Sequence, residues 1–387
     1  MLARKVKLQL NKKQVKEIDD LSKNSMELYN VLLKYIFDRL DSAERNPTAF
    51  DLNNFCSDNK LAPEVPSDVK NEICKRIDQT IKRWQESQRI KLKFWLEHGE
   101  NYKRPMKAYL AKAGKKLWGC PRFKTKAISI QFPLRKTDQK RVCVYGNQTS
   151  VRIPIIGKVK GRNDRQELLG LVKHVTISKD SCKTYWATIV CDGKKPVQEI
   201  VSRSNDIAID LGLKHTITAA NESECIQPER ERFLENQMHA VQYASRHNKR
   251  DLPYIHRKIA RRRKHSHHVQ AKQILEAAST VYVGNLNSQF LFSGKLARSA
   301  SDAAHAMFLQ ILSYKAANAG KIVKTVNEVY TSQTCYNCKT RQKINLSVRE
   351  FVCKCGYKNN RDVNAALNIL NIGRETTPRS SDQSSLL

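Results

Sequence analysis

The sequence predicts a fold of two textures, all-β plus α/β. A small β-barrel or sandwich comes first, with a mostly helical stretch between its first strand and the rest. A strand-and-helix sheet follows, with a metal ribbon inserted near its end. Three observations predict this. Short alternating apolar stretches recur at roughly ten-residue spacing after Cys120. From Asp206 onward, buried-looking strands alternate with helical stretches. Four of the eleven cysteines gather at Cys335, Cys338, Cys353 and Cys355.

The chain has 387 residues, enough for two or three domains, and 40% of them are hydrophobic. Its 70 Lys and Arg outweigh 37 Asp and Glu, for a formal net charge of +33. An excess of that size points to a polyanionic partner, nucleic acid or an anionic membrane surface. No run of roughly 18 apolar residues offers a membrane span, and Met1 to Gln14 has no signal-like apolar core. Nucleic acid is therefore the expected partner, with no membrane involved. The scattered cysteines (Cys56, Cys74, Cys120, Cys143, Cys182, Cys191 and Cys225) read as reduced, buried thiols of an intracellular protein.

Residues 1 to 10 alternate as a basic strand, with Val6, Leu8 and Leu10 on one side. After Asn11, Ile18, Leu21, Leu28, Leu32 and Tyr35 recur at helical spacing. A polar break runs from Ser42 to Ala62. Ser67 then caps a second helix with Val69, Ile73, Ile77, Ile81 and Trp84 on one face. Strands are expected at Ile128–Phe132, Val142–Val144, Val151–Ile153, Val175–Ile177 and Trp186–Ile189. Arg122, Lys124, Lys126, Lys158, Lys160 and Arg162 lie between and beside them, as a nucleic-acid surface or a solvated face. Pro196 to Asn205 reads as a linker. Ile207–Leu211 is a buried strand that Thr216–Ala219 can pair with. A basic helical stretch follows from Glu229 to Ala278, broken near Pro253. Val281–Val283 is a strand, Ser301 caps a helix bearing Phe308, Ile311 and Leu312, and Lys321–Val326 is a strand again. The polar residues after 370 read as disordered.

Four features carry chemistry. Asp210, in Ala208-Ile209-Asp210-Leu211-Gly212-Leu213, ends a buried strand, where its charge needs a partner such as a metal; a turn-forming Asp before Gly is the plainer alternative. Cys335-x-x-Cys338 has knuckle spacing, and Cys353-x-Cys355 can supply two more thiolates to a structural Zn²⁺; four unrelated thiols are the alternative. Asp362 sits in the first turn of the helix Asn360–Leu370, where an acid favours the helix dipole; N-terminal capping is the plainer alternative. Arg257, Lys258, Arg261, Arg262, Arg263 and Lys264 form a run suited to phosphates, or to a solvated face or a nuclear localisation signal. His265, His267 and His268 then read as exposed phosphate contacts.

Together these motifs resemble the TnpB proteins of bacterial insertion sequences, to which type V CRISPR effectors and the Fanzor proteins are related. Ala208-Ile209-Asp210-Leu211-Gly212 looks like the first RuvC motif and Arg361-Asp362-Val363-Asn364-Ala365-Ala366 like the third. Ser301-Asp302-Ala303, Tyr314-Lys315 and Gly320-Lys321 resemble the bridging helix and the strand after it. Tyr330-Thr331-Ser332-Gln333-Thr334-Cys335 opens the family's zinc ribbon. Pro121-Arg122-Phe123-Lys124 and Ile153-Pro154-x-x-Gly157 are similar to its barrel domain.

The resemblance implies a RuvC-like RNase H fold. Its order here would be a first barrel (wedge) strand at 1–10, a helical recognition domain at 11–117, the barrel at 118–200 and the nuclease domain at 201–331. A zinc ribbon at 332–357, a last helix at 358–370 and a tail at 371–387 would complete it. It further implies Mg²⁺ (or Mn²⁺) held by carboxylates, with two ions roughly 4 Å apart in phosphodiester cleavage. A guide RNA from the transposon end would choose a double-stranded DNA target beside a short protein-read motif. The protein would then be a cytoplasmic, nucleoid-associated monomer, or nuclear in a eukaryote.

One departure stands out. The family's second RuvC acid commonly follows the strand read here as Val281–Val283, where this chain has Gly284-Asn285. Either the nuclease is dead and the protein is an RNA-guided repressor, or the acid has moved to Glu328, at the end of the next strand. The relocated reading gives Asp210, Glu328 and Asp362 as the catalytic Mg²⁺ site. A transposase acting on DNA without a guide is the third possibility.

Overall fold

A computed structural model describes residues 2–41, 45–98, 121–134, 142–145, 148–153, 156–162, 170–193, 200–228, 232–285, 297–345 and 348–376. The chain divides into two compact units, Met1–Lys195 and Pro196–Leu387. No helix among the described residues is long and apolar enough to cross a membrane.

Among the described residues, the first unit is a seven-stranded antiparallel sheet with three helices. Strand β1 (Leu2–Gln9) is followed by α1 (Lys12–Asp41), α2 (Ala49–Asp58) and α3 (Ser67–His98). The remaining strands are β2 (Ile130–Pro133), β3 (Val142–Tyr145), β4 (Gln148–Ile153), β5 (Gly157–Arg162), β6 (Val172–Lys179) and β7 (Tyr185–Cys191). Their order is β2-β6-β7-β1-β5-β4-β3, so the first strand of the chain lies inside the sheet, hydrogen-bonded to β7 and β5. The alternation of Val6 and Leu8 with lysines drives this, since one face of β1 must be buried. Those two residues join Leu28, Leu32, Ile73, Ile77, Val175 and Ile189 in one core shared by helices and sheet.

Two expectations for this unit need correction. The polar break from Ser42 to Ala62 contains α2, opened by a capping box between Thr48 and Asp51. The low hydrophobicity of the segment hides a helix that buries only Leu52 and Cys56. Lys158, Lys160 and Arg162 do not lie between strands. They are the exposed residues of β5, alternating with buried Val159 and Gly161. Residues 99–120, the end of the expected helical region, lie outside the described residues, as do Cys120 and the loop between β3 and β4.

The second unit is built on a five-stranded sheet in the order β10-β9-β8-β11-β12. Its strands are β8 (Ser204–Asp210), β9 (Thr218–Ala220), β10 (Cys225–Ile226), β11 (Ala278–Gly284) and β12 (Ile322–Val326). The pairs β8/β9 and β9/β10 are antiparallel, whereas β8, β11 and β12 run parallel. A 3-10 turn (Glu235–Gln237), α4 (Met238–His247) and α5 (Leu252–Ala277) fill the stretch before β11. Pro253 sits in the first turn of α5, where its missing N–H is no loss. Helices α6 (Ala297–Ala303) and α7 (His305–Asn318) precede β12. A small hairpin of β13 (Glu350–Val352) and β14 (Lys358–Asn360) leads into α8 (Arg361–Glu375).

The two faces of this sheet can be read from residue parity. Ile207, Ile209, Val281 and Val283 face α5 and α7, packing with Ile274, Leu275, Phe308 and Leu312. Ala208, Tyr282 and Val326 face the other way and pack with Ile369 and Leu370 of α8. The helix approaches closely: a Cβ on Gly373 would lie 2.3 Å from the Tyr282 ring.

Three further expectations change here. Ser301 caps nothing; it lies within α6, and the break before α7 is Ala304, in the left-handed region at φ 49° and ψ 48°. The linker to 205 is shorter, since β8 begins at Ser204. The last helix does not stop at Leu370. Ile372 packs against the sheet, and Arg374 forms a two-pronged pair with Asp206 at 2.7 and 2.8 Å while also binding Glu222. These contacts carry the helix five residues into the expected tail; residues 377–387 lie outside the described residues.

Candidate active site and metal centre

Asp210, Gly284 and Val326 end three neighbouring parallel strands. Val283 pairs with Ile209, and Gly284 pairs with Val326. Asp210 shares its face with Ala208, so its carboxyl points to the side covered by α8. Asp362, in the first turn of α8, is buried there. Asn360 caps that helix by accepting the Asp362 N–H at 2.9 Å, so the capping role belongs to Asn360 and not to Asp362. Arg361 and Arg349 stand 3.7 and 4.0 Å from an Asp362 oxygen.

Glu328, two residues past the end of β12, fills the space beside Gly284. A Cβ built on Gly284 would lie 2.1 Å from Glu328 Oε2 and 3.1 Å from its Cβ. The missing side chain at 284 is therefore what lets Glu328 reach this strand end. Its Oε2 is buried and has no hydrogen-bond partner among the described residues. Burial also raises the Glu328 pKa.

Asp210 feels all of this. Burial, then the facing charges of Asp362 and Glu328, push its pKa up to about 7, with Arg361 working against them. Acids from three separate parts of the chain thus meet at the end of the sheet, two of them acting on Asp210. A buried, unpaired carboxylate oxygen and a carboxyl that resists ionisation are what a cation site looks like before its cation is counted. The donor set is all oxygen, which suits a hard divalent ion. It is a looser set than the cysteines: among the described residues, only the four thiols have ligand atoms all within 4.8 Å of one another.

Those four are Cys335, Cys338, Cys353 and Cys355. Sγ atoms of Cys335 and Cys355 are 3.7 Å apart, and those of Cys338 and Cys353 are 3.5 Å apart. Tetrahedral Zn–S bonds of about 2.3 Å would set sulfurs about 3.8 Å apart, so the cage fits such an ion. Each pair ends in a left-handed residue, Lys339 at φ 62° and Gly356 at φ 88°. These residues turn the chain so that the Lys339 N–H reaches the Cys335 carbonyl and the Gly356 N–H reaches that of Cys353, both at 3.0 Å. Hydrogen bonds from the Thr340 side chain and backbone pull the Cys338 thiol down to about 6, favouring the thiolate a metal needs.

Two asparagines that the sequence reading passed over join the two centres. Asn364 donates to the Thr334 carbonyl at 2.8 Å and accepts the Tyr336 N–H at 3.0 Å. Asn368 donates to the carbonyls of Thr331 and Thr334 at 3.0 and 2.7 Å. Both are buried on α8, two and six residues after Asp362. Their signal was a polar residue at helical spacing on an apolar face, which marks a hydrogen bond to be found.

The basic residues divide. In the first unit, Arg122, Lys124 and Lys126 are exposed, on a segment tied to α1 by Asn30, which bonds both the N–H and the carbonyl of Lys124. On α5, Lys258, Arg261, Arg262 and Lys264 are exposed, and Arg257 lies over the Tyr254 ring. Arg263 does not belong with them. It turns inward to Asp302 at 2.7 Å, because helical periodicity puts it on the stripe of Ile259, His267 and Ala271. His267 is likewise no exposed phosphate contact. It is buried against Phe308, and burial, with Arg263 nearby, takes its pKa down to about 4, leaving it neutral.

Comparison with known proteins adds an independent line. The Cas12f1-like TNB domain matches residues 305–369, from α7 through the cysteine ribbon into α8. A Streptomyces pristinaespiralis protein named "Putative RNA-guided DNA endonuclease" is 30% identical over 212 residues, covering 51% of this chain and 52% of that protein. A TnpB-like protein of Acanthamoeba polyphaga mimivirus is 29% identical over 132 residues, 32% of this chain and 25% of its own length. The chain thus spans about half the length of the first relative and a quarter of the second. Among solved structures, a Cas12f1–sgRNA–target DNA complex aligns with a TM-score of 0.56 at 15% identity, over 92% of this chain and 82% of that one. The mini-RNA-guided endonuclease CRISPR-Cas_phi3 aligns at 0.52 with 11% identity, over 98% and 93%. At such identities the structural likeness speaks to fold. The sequence likenesses relate the chain to the TnpB-like proteins.

Proposed function

We propose that this chain, a relative of the TnpB-like proteins, is an RNA-guided DNA endonuclease of transposon origin. Asp210, Glu328 and Asp362 would be its catalytic acids, on a RuvC-like RNase H sheet. The observation that carries the reading is Glu328 lying over Gly284 with a buried oxygen that has no partner among the described residues, facing the acid at the end of β8. It supports relocation of the second acid over its loss, and so favours an active nuclease over a guided repressor.

The three carboxylates would hold Mg²⁺, or Mn²⁺ in its place. When bound, such ions activate a water and stabilise the leaving oxygen of a phosphodiester. The protein's part is positional. Asp210 is fixed by β8, Asp362 by a helix start capped by Asn360, and Glu328 by a strand end that Asn368 ties to α8 through Thr331. The four cysteines would hold a structural Zn²⁺ with every ligand supplied by protein, which rules out an open catalytic position there. Guide RNA and double-stranded target DNA would bind the basic surfaces, Arg122, Lys124 and Lys126 in one unit and Arg257, Lys258, Arg261, Arg262 and Lys264 in the other. The net charge of +33 supports polyanion binding in general, and the family likeness supports the guide.

The test is purification from a host carrying the native locus, sequencing of bound RNA, and incubation with DNA matching that RNA. Discrete RNA and metal-dependent cutting are expected. Cutting without RNA would favour a guide-independent transposase. RNA-directed binding with no cutting in Mg²⁺ or Mn²⁺ would favour the repressor.

A further inference from the structure

Just past the acid site the chain makes a tight turn whose geometry the proposed chemistry does not explain. Thr331 grips the carbonyl of Glu328 twice, its N–H at 3.2 Å and its hydroxyl at 2.8 Å. The Tyr330 carbonyl accepts from Thr334 twice as well, through the N–H and the hydroxyl, both at 3.0 Å. Between these fixed points Tyr330 is forced to φ 66°, a region costly to a residue with a Cβ. That strain places a large ring outward: Tyr330 is 49% exposed and its neighbour Val329 58%. One face of the ring is backed by the Arg341 guanidinium, 3.2 Å from the ring centre. Arg341 itself is exposed and lies within 3.4 Å of the Gln333 side chain.

An outward aromatic held in a strained backbone, with a cation behind it and a buried carboxylate two residues away, is poorly explained by packing. Strain of this kind persists where the surroundings over-determine it, and it collects at functional sites. A ring with one face on a guanidinium offers its other side to a flat, electron-rich partner.

We infer that Tyr330, backed by Arg341, is a stacking platform for an unpaired nucleobase of the DNA strand at the acid site, and so a positioning residue for cleavage. The base flanking the scissile phosphate would rest on the ring. The short, pinned segment from Glu328 to Thr331 would fix the distance between that base and the carboxylates. The ring carries no hydrogen-bond pattern for base edges, so the platform would accept any of the four bases. This inference rests on the nuclease reading for its functional meaning, but stacking can be read without any cutting.

The first arm measures contact alone. A 20-nucleotide single-stranded DNA substituted throughout with 5-iododeoxyuridine is irradiated with the full protein in Ca²⁺, and the cross-linked peptide is identified. Attachment at Tyr330 is expected; attachment elsewhere only, or none, overturns the inference. The second arm measures cutting of DNA matching the co-purified RNA, intact or abasic at one position, in Mn²⁺ by the protein with that RNA. Removing the base beside the cut should slow the wild-type protein about tenfold. Tyr330→Ala should be slowed about equally on intact DNA and no further on the abasic strand, whereas Tyr330→Phe and Tyr330→Trp should cut as wild type. An abasic penalty of full size in Tyr330→Ala overturns the inference, since a merely structural tyrosine would leave that penalty intact. If cross-linking occurs at Tyr330 but the wild type cuts nothing, the stacking platform stands and the nuclease reading falls.

Discussion

The cysteine cage and the acid cluster sit in the same unit and are built on opposite plans. The cage is local. Two short knuckles, each closed by a left-handed residue, hold four sulfurs at distances an ion can use. The acid cluster is assembled from the ends of β8 and β12 and the start of α8, elements far apart in the chain. In the cage, hydrogen bonds pull the Cys338 thiol toward its charged form, while burial pushes that of Cys335 the other way. At the acids, burial and mutual repulsion push Asp210 away from its charged form. The comparison teaches that the first centre is preorganised by the chain itself, whereas the second holds its charges together against a cost that Arg361 offsets only in part.

The largest effect that could break this contrast concerns cleavage. Asp210→Ala, Glu328→Ala and Asp362→Ala should each reduce cutting of guide-matched DNA to background while guided binding persists. Gly284→Ala should also lose cutting, because its Cβ would stand 2.1 Å from Glu328 Oε2 and drive the carboxylate out. The double variant Gly284→Glu with Glu328→Gly should regain part of it, since it returns an acid to the neighbouring strand. Normal cutting by Glu328→Ala would remove Glu328 from the site.

Next in size is the cage. Cys335→Ser should lower bound zinc from one per chain toward none. Fast hydrogen exchange should then appear over residues 335–357, because folding of such a ribbon is driven by its metal. Full protection without zinc would show that the ribbon folds unaided.

A smaller effect tests the electrostatic cost directly. A carboxyl whose pKa rises on folding opposes the fold once it is ionised. The metal-free protein should therefore lose stability as pH rises from about 4 to about 7, by at most about 4 kcal/mol from Asp210. In chelator, Asp210→Asn should flatten this pH profile and raise the melting temperature at pH 8. No rise would mean that the acids repel one another less than their burial implies.

Smallest is a control on backbone strain. Ala304 turns between α6 and α7 in the left-handed region, so Ala304→Gly should stabilise the protein by about 1 kcal/mol without changing metal affinity.

How much was legible in the sequence follows the same division. Cysteine spacing is written in the chain, so the cage could be read directly. Strand alternation placed β1, β8, β11 and β12, because burial on one or both faces leaves a periodic trace. Asp210 and Asp362 became meaningful only together with the family resemblance, since each has a plainer local role. What spacing could not reveal was that Gly284 clears room for Glu328, a fact of three dimensions. Nor could charge alone separate Arg263 from Arg262. One turns inward to Asp302 and the other to solvent, which only the helix face decides. The missed α2 and the lengthened α8 share a cause: both are polar segments held by a few specific contacts, Thr48 with Asp51 and Arg374 with Asp206.

The central claim is that Glu328 completes a divalent-cation site with Asp210 and Asp362. It is tested most directly by titrating Mn²⁺ into the zinc-loaded protein and following free Mn²⁺ by electron paramagnetic resonance. Wild type and Glu328→Gln would be compared without nucleic acid. The account predicts a saturable site in the wild type, weakened at least about tenfold by a change that removes one charge and almost no volume. Equal affinity in the two proteins would contradict it.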